Sequence, residues 1–273
     1  MSAVKSSLII FFIMELSAAN ATAHIKPPTP IFNQAYQENY QADALQNILA
    51  NAHNAYILLD PLQNNIAKQV AALKANNNQV AAYISIGTGE EWRPDFAALT
   101  PYLTQKPWGE WPGEYFISQI NPQLVSIMQA RIDRLENWGF DWVEFDNMDW
   151  LYDDDNRKTY NLRATIAQSI EYAHNLCAYV HQKGMKCMAK NHVQNSQIFD
   201  GVLYESYSDE KNWWNVTAAQ KFYQTGKLFI INHYNELHCD KIYTEYKQIY
   251  GKSVSFICED LKLKAYRHFN LRP

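Results

Sequence analysis

Short apolar runs alternate with longer stretches of helical period along most of the chain. The runs Tyr56-Ile57-Leu58-Leu59, Val80 to Ile86, Tyr115-Phe116-Ile117, Trp142-Val143-Glu144-Phe145, Met185 to Ala189, Val202-Leu203-Tyr204, Leu228 to Ile231 and Val254 to Ile257 predict eight strands. Helical segments lie between most of them, including Leu62 to Ala75, Pro122 to Trp138 with Gly139 as its stop, and Leu162 to Lys183 with Gly184 as its stop. Each helix must return the chain to the same end of the sheet, which forces parallel pairing. Eight such units in about 250 residues suit a single (β/α)8 barrel, a TIM barrel of class α/β. The competitor, a doubly wound open sheet, is marked by a Gly-rich turn after its first strand, and Asp60-Pro61-Leu62 is not one. Ile31 to Tyr40 is a further strand candidate; if it pairs, the count shifts by one and another element lies outside the barrel.

The N-terminus breaks this pattern. Lys5, the apolar run Leu8 to Met14 and the triplets Ala19-Asn20-Ala21 and Ala21-Thr22-Ala23 have the anatomy of a cleaved export signal. Residues 1–23 are therefore expected to be removed and 24–273 to form the barrel domain of a secreted protein. Glu15 inside the apolar run favours the alternative, a buried N-terminal helix. Pro27, Pro28 and Pro30 read as a short extended linker.

Composition narrows the function classes. With 47% hydrophobic residues the chain can build a large core, and with 24 Lys+Arg against 28 Asp+Glu its net charge is −4, so no overall positive field exists to hold nucleic acid or anionic lipid. No nucleic-acid partner, no membrane after signal cleavage and a monomeric state are expected. Cys177, Cys187, Cys239 and Cys258 lack the C-x-x-C spacing of a metal knuckle, and the eight histidines do not group, so neither metal nor cofactor is expected. In an oxidising compartment Cys177–Cys187 and Cys239–Cys258 close the shortest loops; four buried thiols are the alternative.

In a parallel barrel the catalytic groups stand at the C-terminal ends of the strands. The polar residues there are Asp60, then Ser85 and Glu90, then Asp146, Asn147 and Asp149, then Lys190 and Asn191, then Glu205, then Asn232, His233 and Tyr234. Carboxylates dominate. Strand alternation puts Trp142, Glu144 and Asp146 on one face, and an inward Glu144 is costly unless bonded or used; Arg131 or Arg134 of the preceding helix would be its structural partner. Glu205 would face the same mouth, one strand removed from Asp146, and two such acids suit hydrolysis of a glycosidic bond. Trp92, Trp108, Trp111, Trp150, Tyr152, Tyr207, Trp213 and Trp214 supply aromatic faces of the kind that stack on sugar rings, while Asp153 to Asp155 read as a solvated acidic rim.

Taken together these residues resemble an endo-α-1,4-polygalactosaminidase-type, GH114-like glycoside hydrolase family. The resemblance rests on Ala82 to Gly87, Glu90-Glu91-Trp92-Arg93-Pro94-Asp95, Trp108-Gly109-Glu110-Trp111, Arg131, Gly139 to Asp149, Lys190-Asn191 and Glu205. It implies a secreted, metal-independent barrel that cuts internal bonds of a cationic α-1,4-galactosamine polysaccharide, with Asp146 as nucleophile and Glu205 as acid/base. Asp60, Tyr83, Ser85, Glu90, Arg93, Trp108, Glu110, Asn147, Asp149, Trp150, Lys190, Asn191, Tyr207, His233 and Tyr234 are the expected substrate-binding set. Tyr207 stands where the family commonly has cysteine, and His233-Tyr234 where it tends to have Glu-Tyr. Two alternatives remain: a non-catalytic carbohydrate-binding barrel, and a hydrolase of the same fold acting on another glycan.

Overall fold

The computed structural model describes residues 27–34, 42–62, 64–148, 152–193, 197–207, 213–234, 238–261 and 265–271. The expected export signal, Asp149 and Trp150 lie outside them. In chain order the strands are β1 (Ile31–Gln34), β2 (Tyr56–Leu59), β3 (Gln79–Ser85), β4 (Thr88–Glu90), β5 (Glu114–Phe116), β6 (Trp142–Asp146), β7 (Lys186–Lys190), β8 (Gly201–Tyr207), β9 (Leu228–Tyr234), β10 (Ser255–Glu259) and β11 (Tyr266–His268). The helices are α1 (Ala42–Asn51), α2 (Ile66–Ala75), α3 (Phe96–Leu99), α4 (Pro122–Asn137), α5 (Asp154–Thr159), α6 (Ile166–Gln182), α7 (Val216–Tyr223) and α8 (Cys239–Ile249).

Nine strands form one sheet in the order β1-β2-β3-β6-β7-β8-β9-β10-β11, parallel throughout except for the antiparallel β10–β11 pair. The sheet curls until its ends meet. At that seam the Thr29 N–H donates to Ser255 Oγ, and His268 Nε2 bonds the Phe32 carbonyl. The result is a nearly closed α/β barrel. Tyr115–Ile117 is corrected here: it is not a barrel strand. β4 follows β3 after only Ile86 and Gly87, too few residues for a crossover, so β5 returns antiparallel to it as a separate hairpin. β1 takes the vacant place, and the barrel still holds eight parallel strands.

Strand alternation divides the core in two. Tyr56, Leu58, Ala81, Tyr83, Trp142, Met188, Leu203, Ile230 and Ile257 fill the barrel, while the intervening Ile57, Ala82, Val143, Phe145, Ala189, Val202 and Ile231 pack outward under the helices. Helix ends follow local chemistry. Asn121 accepts from the Leu124 N–H ahead of Pro122. Thr165 and Gln168 form a capping box, which starts α6 at Ile166 rather than Leu162. Gly139 and Gly184 follow α4 and α6 at φ +83° and +74°. Cys239 and Cys258 are bridged, tying α8 to β10, whereas Cys177 and Cys187 are buried free thiols. No helix of the described residues is long and apolar enough to cross a membrane.

Candidate active site

The last inward residues of β6, β7 and β8 converge on one point. Lys190 Nζ lies 3.2 Å from Asp146 Oδ1, 3.2 Å from Glu205 Oε1 and 3.3 Å from Glu144 Oε1. Those Asp146 and Glu205 oxygens are therefore at most about 6.4 Å apart, twice the 3.2 Å leg. Depth separates their roles. The side chains of Asp146 and Glu205 are each 18% exposed, open to the mouth, whereas Lys190 and Glu144 are sealed at 1% and 0%. Burial pushes the Glu144 carboxyl up to about 8; the charges of Asp146 and Glu205 add to this and Lys190 opposes it. The partner of Glu144 is thus Lys190, not Arg131 or Arg134, both of which bind Asp95.

Glu205 is held on both oxygens and through its backbone. Tyr234 Oη donates to Oε1 at 2.7 Å, Asn191 Nδ2 to Oε2 at 3.4 Å, and the Glu205 N–H donates to Asn191 Oδ1 at 2.8 Å. Asn191 reaches back in this way because its φ of +57° turns the chain off the end of β7. Trp213 Nε1 donates to the Glu205 carbonyl at 2.9 Å and remains 48% exposed, while Tyr207 stacks on Tyr234 at 5.1 Å. Together they form an aromatic edge beside this acid.

Asp146 is followed by Asn147, also left-handed at φ +57°. The Asn147 amide nitrogen lies 3.1 Å from Ser85 Oγ, 3.1 Å from Thr88 Oγ1 and 3.3 Å from Glu114 Oε2. Thr88 Oγ1 donates to the same Glu114 oxygen at 2.7 Å. Burial pushes Glu114 up to about 8, with the negative charges of Glu90 and Asp146 adding to it and Thr88 and Arg93 opposing. Gly87 is required here, since a Cβ would stand 1.8 Å from the Asn147 carbonyl oxygen.

A buried ionic group forms the adjoining wall. Arg93 binds Glu90 through Nε at 2.8 Å and Nη2 at 3.0 Å, and Asp60 through Nη1 at 2.8 Å. Tyr83 Oη donates to Glu90 Oε1 at 3.3 Å. Burial raises Glu90 against the pull of Arg93; burial also opposes the Arg93 charge, which its two carboxylates more than restore.

The structure therefore gathers Asp60, Tyr83, Ser85, Glu90, Arg93, Asn147, Lys190, Asn191, Tyr207 and Tyr234 around the pair Asp146 and Glu205. Three members of the expected set are placed elsewhere. Trp108 is 5% exposed and packs on Phe116, so it is core of the hairpin rather than a sugar platform. Glu110 lies on an exposed turn of that insertion. His233 is fully buried on the opposite face of β9 from Asn232 and Tyr234, away from the mouth. Three acids were not in the set: Glu114, hidden by reading its strand as part of the barrel; Glu144, whose inward position in β6 was the available signal; and Glu259 at the end of β10, buried, bonded to Asn232 and raised by burial, with Glu205 adding to this and Lys190 opposing. Among the described residues no group of three or more His, Cys, Asp or Glu is placed to hold a metal ion.

Solved structures share this architecture. The Aspergillus fumigatus protein Ega3, solved in complex with galactosamine, superposes with TM-score 0.69 at 19% identity over 90% of this chain and 96% of its own. The glycoside hydrolase domain of PelA from Pseudomonas aeruginosa does so with TM-score 0.63 at 14% identity over 90% and 99%. At these identities the likeness is one of fold. No curated protein sequence matches the chain. The sequence profile of glycoside-hydrolase family GH114, in contrast, matches residues 15–271, nearly the whole length, and the chain belongs to that family.

Proposed function

We propose that the protein is a secreted hydrolase that cuts internal α-1,4 bonds of a cationic galactosamine polysaccharide, with Asp146 as nucleophile and Glu205 as acid/base. The observation that carries this reading is the single ammonium of Lys190 contacting both acids, which keeps their near oxygens within about 6.4 Å, twice 3.2 Å. Retaining glycosidases hold their carboxyls about 5–5.5 Å apart and inverting ones about 6.5–9.5 Å, so a pair this close suits two-carboxylate hydrolysis, and we take the covalent route as the reading to test. Glu205 gives its proton to the glycosidic oxygen as the C1–O bond breaks, and an Asp146 oxygen bonds to C1. Water, deprotonated by Glu205, then attacks C1 and releases Asp146 as carboxylate. Tyr234 and Asn191 orient Glu205 throughout.

An acid-rich mouth suits a polymer of positive charge. The galactosamine bound in the Ega3 structure supports the same sugar class for this chain. The N-terminal export pattern supports secretion, and the Cys239–Cys258 bridge agrees with an oxidising compartment. The test is incubation with de-N-acetylated and N-acetylated α-1,4-galactosaminan, followed by mass spectrometry. Oligosaccharides of intermediate size are expected from wild type and none from Asp146→Asn. Binding without any chain cleavage would leave a carbohydrate-binding barrel instead.

A further inference from the structure

Positive charge at the mouth is unevenly shared. Arg93 serves Asp60 and Glu90, and Lys190 serves Glu144, Asp146 and Glu205. Among the described residues Glu114 has no such partner, and nor does Glu259, which is bonded to Asn232 with its second oxygen sealed from solvent. Glu114 is 6% exposed, and its two hydrogen bonds, from Thr88 and Asn147, both fall on Oε2. Neither donor carries charge, and no ion pair reaches Glu114 among the described residues. Oε1 has no hydrogen bond and is not among the fully sealed unpaired atoms, so it keeps some exposure.

The position of that carboxyl is specific. Glu114 lies directly across the β4–β5 ladder from Glu90, and its Oε2 is 3.3 Å from the side-chain nitrogen of Asn147, the residue that follows Asp146. Tyr83, on the neighbouring barrel strand, feels Glu90, Asp146 and Glu114 together. An attacking Asp146 oxygen addresses C1 of the sugar, and the substituent on C2 is one bond from that centre. A carboxyl bonded to the residue after the proposed nucleophile is placed to meet what C2 carries. An ammonium there lets the acid ionise and pairs with it as a charged contact; an acetamido group offers no charge and meets only the neutral acid.

Resting on the reading of the protein as a galactosaminan hydrolase, we propose that Glu114 is its specificity-determining residue, taking the C2 ammonium of the sugar on Oε1 and so selecting free amines over N-acetyl groups. Because burial and the neighbouring Glu90 and Asp146 hold the empty Glu114 up to about 8, the carboxyl is protonated near neutral pH. Binding of the ammonium then expels that proton to solvent. The other charged or titratable groups facing it are Tyr83, Glu90, Arg93 and Asp146.

The experiment compares wild type with Glu114→Gln on de-N-acetylated and N-acetylated α-1,4-galactosamine oligosaccharides, alongside calorimetry of galactosamine binding in two buffers of different ionisation enthalpy. Loss of the charged contact is expected to raise KM for the free-amine substrate about 10- to 100-fold with little change in kcat, and to leave the N-acetylated substrate unaffected. Wild type should release about one proton per galactosamine bound near neutral pH, and the variant none. If Glu114→Gln fails to fold, Glu114→Asp carries the test: KM for the amine substrate should rise while proton release persists. Equal losses on both substrates, or unchanged proton release in Glu114→Gln, would reduce Glu114 to an anchor for Asn147 and overturn the inference alone. A wild type that neither cuts the polymer nor binds galactosamine overturns the functional reading and the inference together.

Discussion

Lys190 Nζ stands 3.3 Å from Glu144 Oε1 in a pair almost wholly removed from solvent, directly beneath the acids that the mouth presents. Removing one partner of a buried pair strands the other, at a cost of about 3–5 kcal/mol. Lys190→Met leaves Glu144, Asp146 and Glu205 facing one another without a cation. Urea denaturation is expected to show a stability loss of that size, together with loss of turnover. A midpoint equal to wild type would mean that Lys190 does not neutralise this group.

Stability should also fall with rising pH. Glu144 and Glu114 are each raised to about 8 from the ordinary 4.5, so between those values the folded chain holds protons that the unfolded chain has released. Their contribution is fully present below about pH 4.5 and disappears as pH passes through about 8. Denaturation across this window should show the decline, and Glu144→Gln, which cannot ionise, should flatten it.

The two mouth acids can be replaced without a change of shape. Asp146→Asn and Glu205→Gln are expected to fold with unchanged circular dichroism and to lose at least about 1,000-fold in kcat. Tyr234→Phe removes the 2.7 Å bond to Glu205, and a smaller loss of about 10-fold is expected. Full activity in Asp146→Asn would remove it as nucleophile.

Gly87→Ala tests the contact between the ends of β3 and β6. The added Cβ, 1.8 Å from the Asn147 carbonyl oxygen, forces that backbone aside and moves Asp146 with it. Overpacking of this kind costs about 1–3 kcal/mol. A lowered melting temperature with a disproportionate loss of kcat is expected; a fully active variant would show that Asp146 tolerates the shift.

Much of this was readable from residue order. Strands such as Trp142–Asp146 and Leu228–Tyr234 stand out as short apolar runs between helical stretches, and an inward residue at a strand's end must face the mouth. That logic was enough to reach Asp146, Lys190 and Glu205. It failed where local pattern carries no partner information. Tyr115-Phe116-Ile117 has the apolarity of a barrel strand, and only the two-residue gap between β3 and β4 reveals that a hairpin intervenes. The error hid Glu114. Glu144 was visible as an inward acid, but its partner came from β7, far away in sequence, rather than from the helix just before it. His233 looked like a site residue because it lies near a strand end; its parity places it on the other face.

The hairpin itself carries a consequence for how such an enzyme changes. β4 and β5 complete their ladder with each other and take no rung from the nine-stranded sheet. The exposed tip of that insertion, residues 105–113, can therefore be lengthened, trimmed or exchanged while every barrel rung stays in place, whereas its base, with Gly87, Glu90 and Arg93, is tied to the barrel end. With cleavage proposed at the ends of β6 and β8 and ligand choice proposed at β5, the two tasks fall on different pieces of chain, so new tastes can be acquired by editing the rim around Glu114.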